Sequence, residues 1–311
     1  NEVFNFDVTI AEIIDEGNIF LGKKGGVATD QDGTTISAEN FRYNKKLNIL
    51  KAKGNVIVYD IINNITIQSE DITYLKNEEI IYTKSRTKAK DEFTEIEGNE
   101  FNFEKKLNTL NAKGDVQIKD NQKDYFIKAE NITYQKSQEK IFTKGKTIAK
   151  IQSKYDFEST DVTLLRDKME LISDNKSNIR DDENTLYQVD KFRYFINKQI
   201  LNGKTILVIT NHLRPKSDTI FFKSGIFNFF DKKFVSKDTE ITLHKTLFDK
   251  ERIKIDGLSN DNEKEIKKLK RFDGQNDPRI MGVSSSGNKN QTIINKGIFT
   301  SCKKNDDCPP W

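Results

Sequence analysis

The stretch ISAENFRYNKKLNILKAKGNVIVYD, starting at Ile36, returns sixty residues later as IEGNEFNFEKKLNTLNAKGDVQIKD, starting at Ile96. Phe41/Phe101, Leu47-Asn48/Leu107-Asn108, Ala52-Lys53-Gly54/Ala112-Lys113-Gly114 and Asp60/Asp120 are held in place. At the same shift, IQSEDITYLKNEEIIYTKSRTKAK from Ile67 lines up with IKAENITYQKSQEKIFTKGKTIAK from Ile127, so the unit was copied without a gap. A fixed internal period marks stacked supersecondary units, each too small to bury its apolar face alone.

The unit is itself a pair. Ile36-Ser37-Ala38-Glu39-Asn40-Phe41-Arg42-Tyr43 resembles Ile67-Gln68-Ser69-Glu70-Asp71-Ile72-Thr73-Tyr74, which sets the basic step at about thirty residues. Each step holds an apolar run, a short polar tip and a second apolar run, as in Tyr43-Asn44-Lys45-Lys46-Leu47, Phe103-Glu104-Lys105-Lys106-Leu107 and Phe230-Asp231-Lys232-Lys233-Phe234. These are hairpin tips, because Asn, Asp and Lys tolerate a solvated turn while aromatic and β-branched residues flank it. Leu50, Ala52, Gly54, Val56 and Val58 alternate with polar residues, and Leu110, Ala112, Gly114, Val116 and Ile118 repeat the alternation. Period two gives a strand with one apolar and one wet face. In the preceding run the phase slips: Ile36 and Ala38 share a parity that Phe41 and Tyr43 do not, and Ile127/Ala129 against Ile132/Tyr134 slip alike. A recurring bulge at the Glu-Asx pair is expected to re-aim the strand.

With 311 residues, 32% charged and 35% hydrophobic, the chain suits one large or two smaller all-β domains with a thin core. No run of eighteen apolar residues occurs, so no helix is expected to span a bilayer. Asn1-Glu2-Val3-Phe4 lacks a basic segment followed by an apolar one, which leaves a removed signal peptide and none at all equally open. The net charge of +4, from 52 basic and 48 acidic side chains well mixed, is too balanced for a dedicated nucleic-acid binder. The tip Lys-Lys pairs read as solubilising and edge-protecting. Residues 1–258 read as the repeats, 259–291 as a loop or linker on their charge run and Ser/Gly/Asn content, and 292–311 as a cysteine-containing end. Two turns of helix are expected at Glu263 to Lys270.

Little points to catalysis. His212 and His244 have no HxxxH or CxxC companion, so no metal site is expected, and nothing in the pattern calls for a cofactor. Gly282-Val283-Ser284-Ser285-Ser286-Gly287 is not a nucleophile elbow. Asp60/Asp120 and Glu39/Glu70/Glu130 recur, whereas an active site is needed once; turn caps and bulge partners are needed in every repeat. Asn64, Asn131 and Asn290 head Asn-x-Thr triplets, which an Asn-rich chain produces by chance. Cys302 and Cys308 fall beyond the repeats in SCKKNDDCPPW, where they bond to each other, await partners elsewhere, or form half a zinc site.

The xAExxxY and AxGxV patterns, followed by Gly297-Ile298-Phe299-Thr300-Ser301-Cys302 and Cys308-Pro309-Pro310-Trp311, resemble the N-terminal periplasmic domain of the LptD lipopolysaccharide-assembly family. The repeats alone are similar to the wider OstA-like family. The resemblance implies an open antiparallel β-jellyroll, V-shaped, at the periplasmic face of the outer membrane. It implies as partners lipopolysaccharide, the bridge protein LptA, the LptD barrel and its plug lipoprotein LptE. It also implies a disulfide role for Cys302 and Cys308, although two cysteines at one end depart from a family pattern with one at each end of the domain. A non-enzymatic lipid conduit follows, with Ile36, Ala38, Leu50, Ala52, Val56, Val58, Leu110, Ala112, Val116, Ile118, Ile127 and Ala129 as the groove lining. The same residues suit a tightly packed core equally well. Phe4, Phe6, Val8 and Ile10 alternate with polar residues and are expected to form an edge strand that receives the bridge protein. A bridge or scaffold protein without a barrel is the alternative, and a β-helical carbohydrate enzyme or adhesin a more distant one.

Overall fold

The computed structural model describes residues 3–210, 218–243 and 278–300. Cys302, Cys308, His212, His244 and the helix expected at Glu263 to Lys270 lie outside the described residues. The chain divides into two compact units, Asn1–Leu171 and Ile172–Trp311.

The first unit opens with β1 (Phe4–Ile14), β2 (Ile19–Asp30), β3 (Thr35–Ala38), β4 (Asn40–Asn44), β5 (Ile49–Asp60) and β6 (Ile65–Leu75). It continues through β7 (Ile80–Thr83), β8 (Thr87–Lys90), β9 (Thr94–Gly98), β10 (Glu100–Glu104), β11 (Thr109–Asp120) and β12 (Tyr125–Gln135). Then come β13 (Lys140–Ile151), β14 (Tyr155–Thr160) and β15 (Thr163–Leu165), while β16 (Glu170–Ser173) spans the boundary. The second unit holds β17 (Ser177–Arg180), β18 (Leu186–Phe195), β19 (Ile200–Ile209), β20 (Thr219–Asn228), β21 (Lys233–Thr242), β22 (Arg279–Asn288), β23 (Thr292–Asn295) and β24 (Ile298–Thr300). No α-helix forms among the described residues, and the strands pair antiparallel, so the all-β antiparallel class expected from the repeats is the class found.

Each long strand serves two half-sheets. The first half of β5 pairs with β4 and with residues 71–75 of β6; its second half pairs with β3 and with residues 65–69. Between them the register slips at Gly54 and Asn55, two residues opposite the single Glu70. Gly114 and Asp115 do the same opposite Glu130 in β11. Both pairs carry positive φ, +84° and +47° at Gly54/Asn55 and +77° and +47° at Gly114/Asp115. A bulge of this kind bends the strand, and glycine meets the conformation at least steric cost. The phase slip read from the sequence is thus present, but the extra residues sit on the strand facing each Glu, not at the Glu-Asx pair. The two half-sheets of the first unit face each other, since the Phe4 ring lies edge-on to Tyr43 and Tyr74 of the opposite half at 5.1 and 5.7 Å.

The loop expected through residue 291 is corrected over Arg279–Asn288, which forms β22 and pairs along its length with β21. Ser285 there is buried, its hydroxyl 2.6 Å from Ser236 Oγ and 2.7 Å from Thr239 Oγ1. Small polar residues that read as a linker are used instead where a strand interior has room only for hydroxyls that satisfy one another.

The bends give a graded test. Gly145, at φ +85°, has open space where a Cβ would go, whereas a Cβ on Gly54 would meet the Glu39 side chain at 2.5–2.8 Å. Gly145→Ala should cost about 1–2 kcal/mol of left-handed strain alone, and Gly54→Ala clearly more, in urea unfolding monitored by circular dichroism; equal losses would refute the account.

Candidate functional site

The twelve residues expected to line a groove come together between the two half-sheets of the first unit, and they are buried. Ala38 is 6% exposed, Ala129 5%, and the remaining ten 1% or less. The trough expected to stand open at these positions is therefore closed in this structure. Apolar side chains from two facing layers about 10 Å apart interdigitate and fill the space.

The hairpin tips decide how the interior meets solvent. In the first unit the tips of one half-sheet carry Asp30, Asp32, Asp60, Asp91 and Asp120, and those of the other carry Lys76, Lys105, Lys136 and Arg166. Opposite charges meet across the mouth. Lys105 Nζ lies 3.1 Å from Glu79 on a neighbouring tip and, across the mouth, 3.4 Å from Asp30, 3.8 Å from Asp60 and 2.7 Å from Thr34 Oγ1. Lys76 adds contacts to Asp30 at 3.1 Å and Asp32 at 2.6 Å, and Tyr74 places its hydroxyl 2.9 Å from Asp30 and 2.6 Å from Glu79. The oxygens of Asp30, Asp32 and Glu79 converge as a metal site would, but the Lys76 ammonium already gathers all three.

The second knot repeats the first. Arg166 donates to Asp120 and to Thr94 Oγ1 at 2.9 Å each, contacts the Tyr134 hydroxyl, and reaches Glu139 at 3.2 Å. Lys136 bonds the carbonyls of Asn63 and Asn64 at 2.6 and 3.0 Å and faces Asp91 at 3.6 Å. Asp60 and Asp120 also cap their turns, accepting the backbone N–H groups of Ile62 and Asn63 and of Gln122 and Lys123. Lys105 corrects the expectation that both lysines of each tip pair are solvated: it is 7% exposed, because the turn aims it inward while Lys106 faces water.

Burial pushes the Asp30 carboxyl up, but the Thr34 N–H, Lys105, Lys76 and Tyr74 outweigh it and hold it below the usual carboxylate range. Glu79 is held down the same way, burial opposed by Lys76, Tyr74 and Lys105. Burial pushes the Tyr74 and Tyr134 hydroxyls far up, so both remain protonated. For Lys76 and Arg166 burial works against the charge, but their anionic and phenolic neighbours raise both above the ordinary value.

The second unit builds its mouth differently. Phe229 donates its N–H to Gln199 O, just as Lys105 donates to Glu79 O and Arg166 to Glu139 O, so a phenyl ring takes the place of the inward cation. Around it Tyr187, Phe222, Phe227 and Phe234 pack edge-on, tilted or, for Phe227 and Phe234, stacked, with centroids 5.1–5.9 Å apart. They bound a cavity of about 510 Å³ whose rim carries Asp181, Glu183, Lys232, Lys233 and Lys289. Lys232 pairs with Asp182 at 2.8 Å and Lys289 with Glu183 at 3.2 Å, closing part of the rim. The sequence reading missed this aromatic set.

At the start of the chain, β1 pairs with β2 alone among the described residues. Phe4 is buried, Phe6, Val8 and Ile10 are half-buried, and Asn5, Asp7 and Thr9 face the other way. Phe6 stacks on Phe20 at 4.2 Å, and a cavity of about 490 Å³ opens beside them, lined by Phe4, Phe6, Phe20 and Tyr43.

No family model matches the chain, and no curated protein does. Among solved structures, LptH of Pseudomonas aeruginosa, described as the LptA-homologous periplasmic component of the lipopolysaccharide transport device, aligns with 42% of this chain and 75% of its own. The identity is 10% and the TM-score 0.20. The WD40 domain of SCAP from fission yeast aligns with 96% of this chain and 91% of its own, at 9% identity and a TM-score of 0.12. At these scores neither alignment bears on function.

The knots predict an acid limb. Because Asp30 and Glu79 are depressed, their contribution is complete above about pH 4, the ordinary carboxylate value, and is lost as pH falls through the lowered values. Lys105→Met should cost about 3–5 kcal/mol at pH 7 by stranding buried carboxylates and should flatten the acid dependence of the urea midpoint; an unchanged slope would contradict the assignment.

Proposed function

We propose that the chain is a non-enzymatic β-scaffold that carries acyl chains of lipopolysaccharide through its apolar interior at the periplasmic face of the outer membrane. One observation carries this reading: the first unit begins with a strand that, among the described residues, is paired on one side only, beside an apolar cavity, so a second β-protein docking there continues both the backbone ladder and the greasy interior. The aromatic cavity of the second unit supports it, since an apolar chamber with charged groups at its rim fits an amphiphile. Each methylene taken from water into such a chamber contributes about 0.8 kcal/mol.

On the resemblance of the repeats and of the Gly297 to Trp311 motif, the finer reading is the periplasmic domain of an LptD-type protein. It receives lipid from an LptA-type bridge at Phe4, Phe6, Val8 and Ile10 and passes it to a barrel with an LptE-type plug. Ile36, Leu50, Val58, Leu110, Ile118 and the other seven predicted lining residues then meet lipid only once the half-sheets part. The second reading, a scaffold without a barrel, is favoured by β23 and β24, which pair with β22 alone among the described residues and leave Ile298 and Phe299 partly exposed. Such a chain would join end to end.

Photo-crosslinking residues at Asn5, Asp7 and Thr9 should capture a bridge-type partner in cells, and one at Phe229 should capture lipopolysaccharide. Absence of any protein adduct along β1 would remove the docking reading, and absence of a lipid adduct at Phe229 and at Phe222 would remove the conduit.

A further inference from the structure

The mouth of the first unit is a seam of two unlike rows. Asp30, Asp32, Asp60, Asp91 and Asp120 line one lip, with Lys123 among them, and Lys76, Lys105, Lys136 and Arg166 line the other, with Glu79 and Glu139 among them; the lips are joined by Lys76–Asp32 at 2.6 Å, Lys105–Asp30 at 3.4 Å, Lys136–Asp91 at 3.6 Å and Arg166–Asp120 at 2.9 Å. Bonds to backbone carbonyls reinforce it, from Asn63 Nδ2 to Lys105 O at 3.3 Å and from the Lys123 ammonium to Arg166 O at 3.2 Å. A sandwich held only by its apolar core would need no such sorting. Exposed tips with charges interspersed would keep it soluble, and a buried ion pair stabilises little compared with an apolar pair of the same volume. The sorting instead leaves Lys76, Lys105, Lys136 and Arg166 on one lip, with only Glu79 and Glu139 as carboxylates paired to them there, so that parting the lips exposes four cations against two carboxylates directly above the apolar interior.

We propose that this seam is an ion-exchange closure: the phosphate groups of an acylated lipid replace the carboxylates on Lys76, Lys105, Lys136 and Arg166, part the lips, and let the acyl chains into the interior beneath. The proposal deepens and rests on the conduit reading, naming the anionic head group as what opens the first unit. Phosphate suits the row because guanidinium and ammonium groups form charge-assisted bonds to it that match those they give up to carboxylate. The second unit, with Phe229 in place of the cation, does not require the exchange.

Val58, fully buried below the Asp60 tip, is the reporter. Val58→Cys, with Cys302→Ser and Cys308→Ser, is reacted with a water-soluble thiol reagent, whose rate follows the open population. Bisphosphorylated lipid A should accelerate labelling by about tenfold or more, a one-decade shift in opening, while dephosphorylated lipid A and inorganic phosphate should not. The rim variant Asp32→Asn/Asp91→Asn, which leaves the fully buried pairs in place, should label faster without lipid. If bisphosphorylated lipid A co-elutes with the protein and labelling is unchanged, the exchange is refuted and the conduit reading survives. Equal acceleration by dephosphorylated lipid refutes the role of phosphate, equal acceleration by inorganic phosphate refutes the lipid head group as its source, and an unaltered rate in the rim variant refutes the seam as the barrier. No co-elution of either lipid removes both readings.

Discussion

Because Gly54-Asn55 and Gly114-Asp115 fall outside the register with β6 and β12 in left-handed backbone, β5 and β11 cannot run flat, and the ladder they belong to must turn a corner at the same level in successive repeats. One bend per long strand converts a meander into two facing half-sheets without any crossover connection. It also places the hairpin tips of the first unit in two opposed rows. The apolar interior and the charged mouth both depend on that geometry: alternation along the strand puts Leu50, Ala52, Val56 and Val58 inside, and the bend brings Asp60 and Lys105 to opposite lips.

The fold class was legible because alternation and a sixty-residue repeat are local properties of the chain. Burial of Phe41, Tyr43, Leu110 and Ile127 follows from parity once the strands are drawn. Parity says nothing, however, about whether two facing apolar surfaces touch, so the same twelve residues served a groove and a core equally well until the layers were seen in contact. The bulge was visible as a slip of phase but not its strand, since a two-against-one mismatch leaves the same mark whichever partner holds the extra residues.

The ion-pair knots were in the sequence and went unread. Asp30, Asp60, Asp91 and Asp120 recur at the thirty-residue step, as do Lys76, Lys105, Lys136 and Arg166, but with single-residue slips that break the exact sixty-residue copy: Asp91 stands sixty-one after Asp30, and Arg166 sixty-one after Lys105. Inspecting the copy position by position puts Lys90 and Leu165 at those places and hides the match. The aromatic cavity was missed for another reason. Tyr187, Phe222, Phe227 and Phe229 lie on three different strand or turn segments and meet only through the packing of the half-sheets.

A single turn position then separates the two units. In each step the residue opening the turn donates its backbone N–H to the previous turn: Lys76 to Asn48, Lys105 to Glu79, Lys136 to Asn108, Arg166 to Glu139, Phe229 to Gln199. With the backbone bond held constant, the side chain is free to vary, and its character sets the local interior. A cation there draws carboxylates and tyrosines inward and fills the mouth with a satisfied polar knot, because an unpaired buried charge costs several kcal/mol, roughly 3–5 by deletion of a partner. A phenyl ring has no such demand; it collects other rings and leaves a chamber of about 510 Å³ between them. The same repeat therefore yields a sealed segment or a hollow one by exchanging one residue type at a position the backbone does not need to defend.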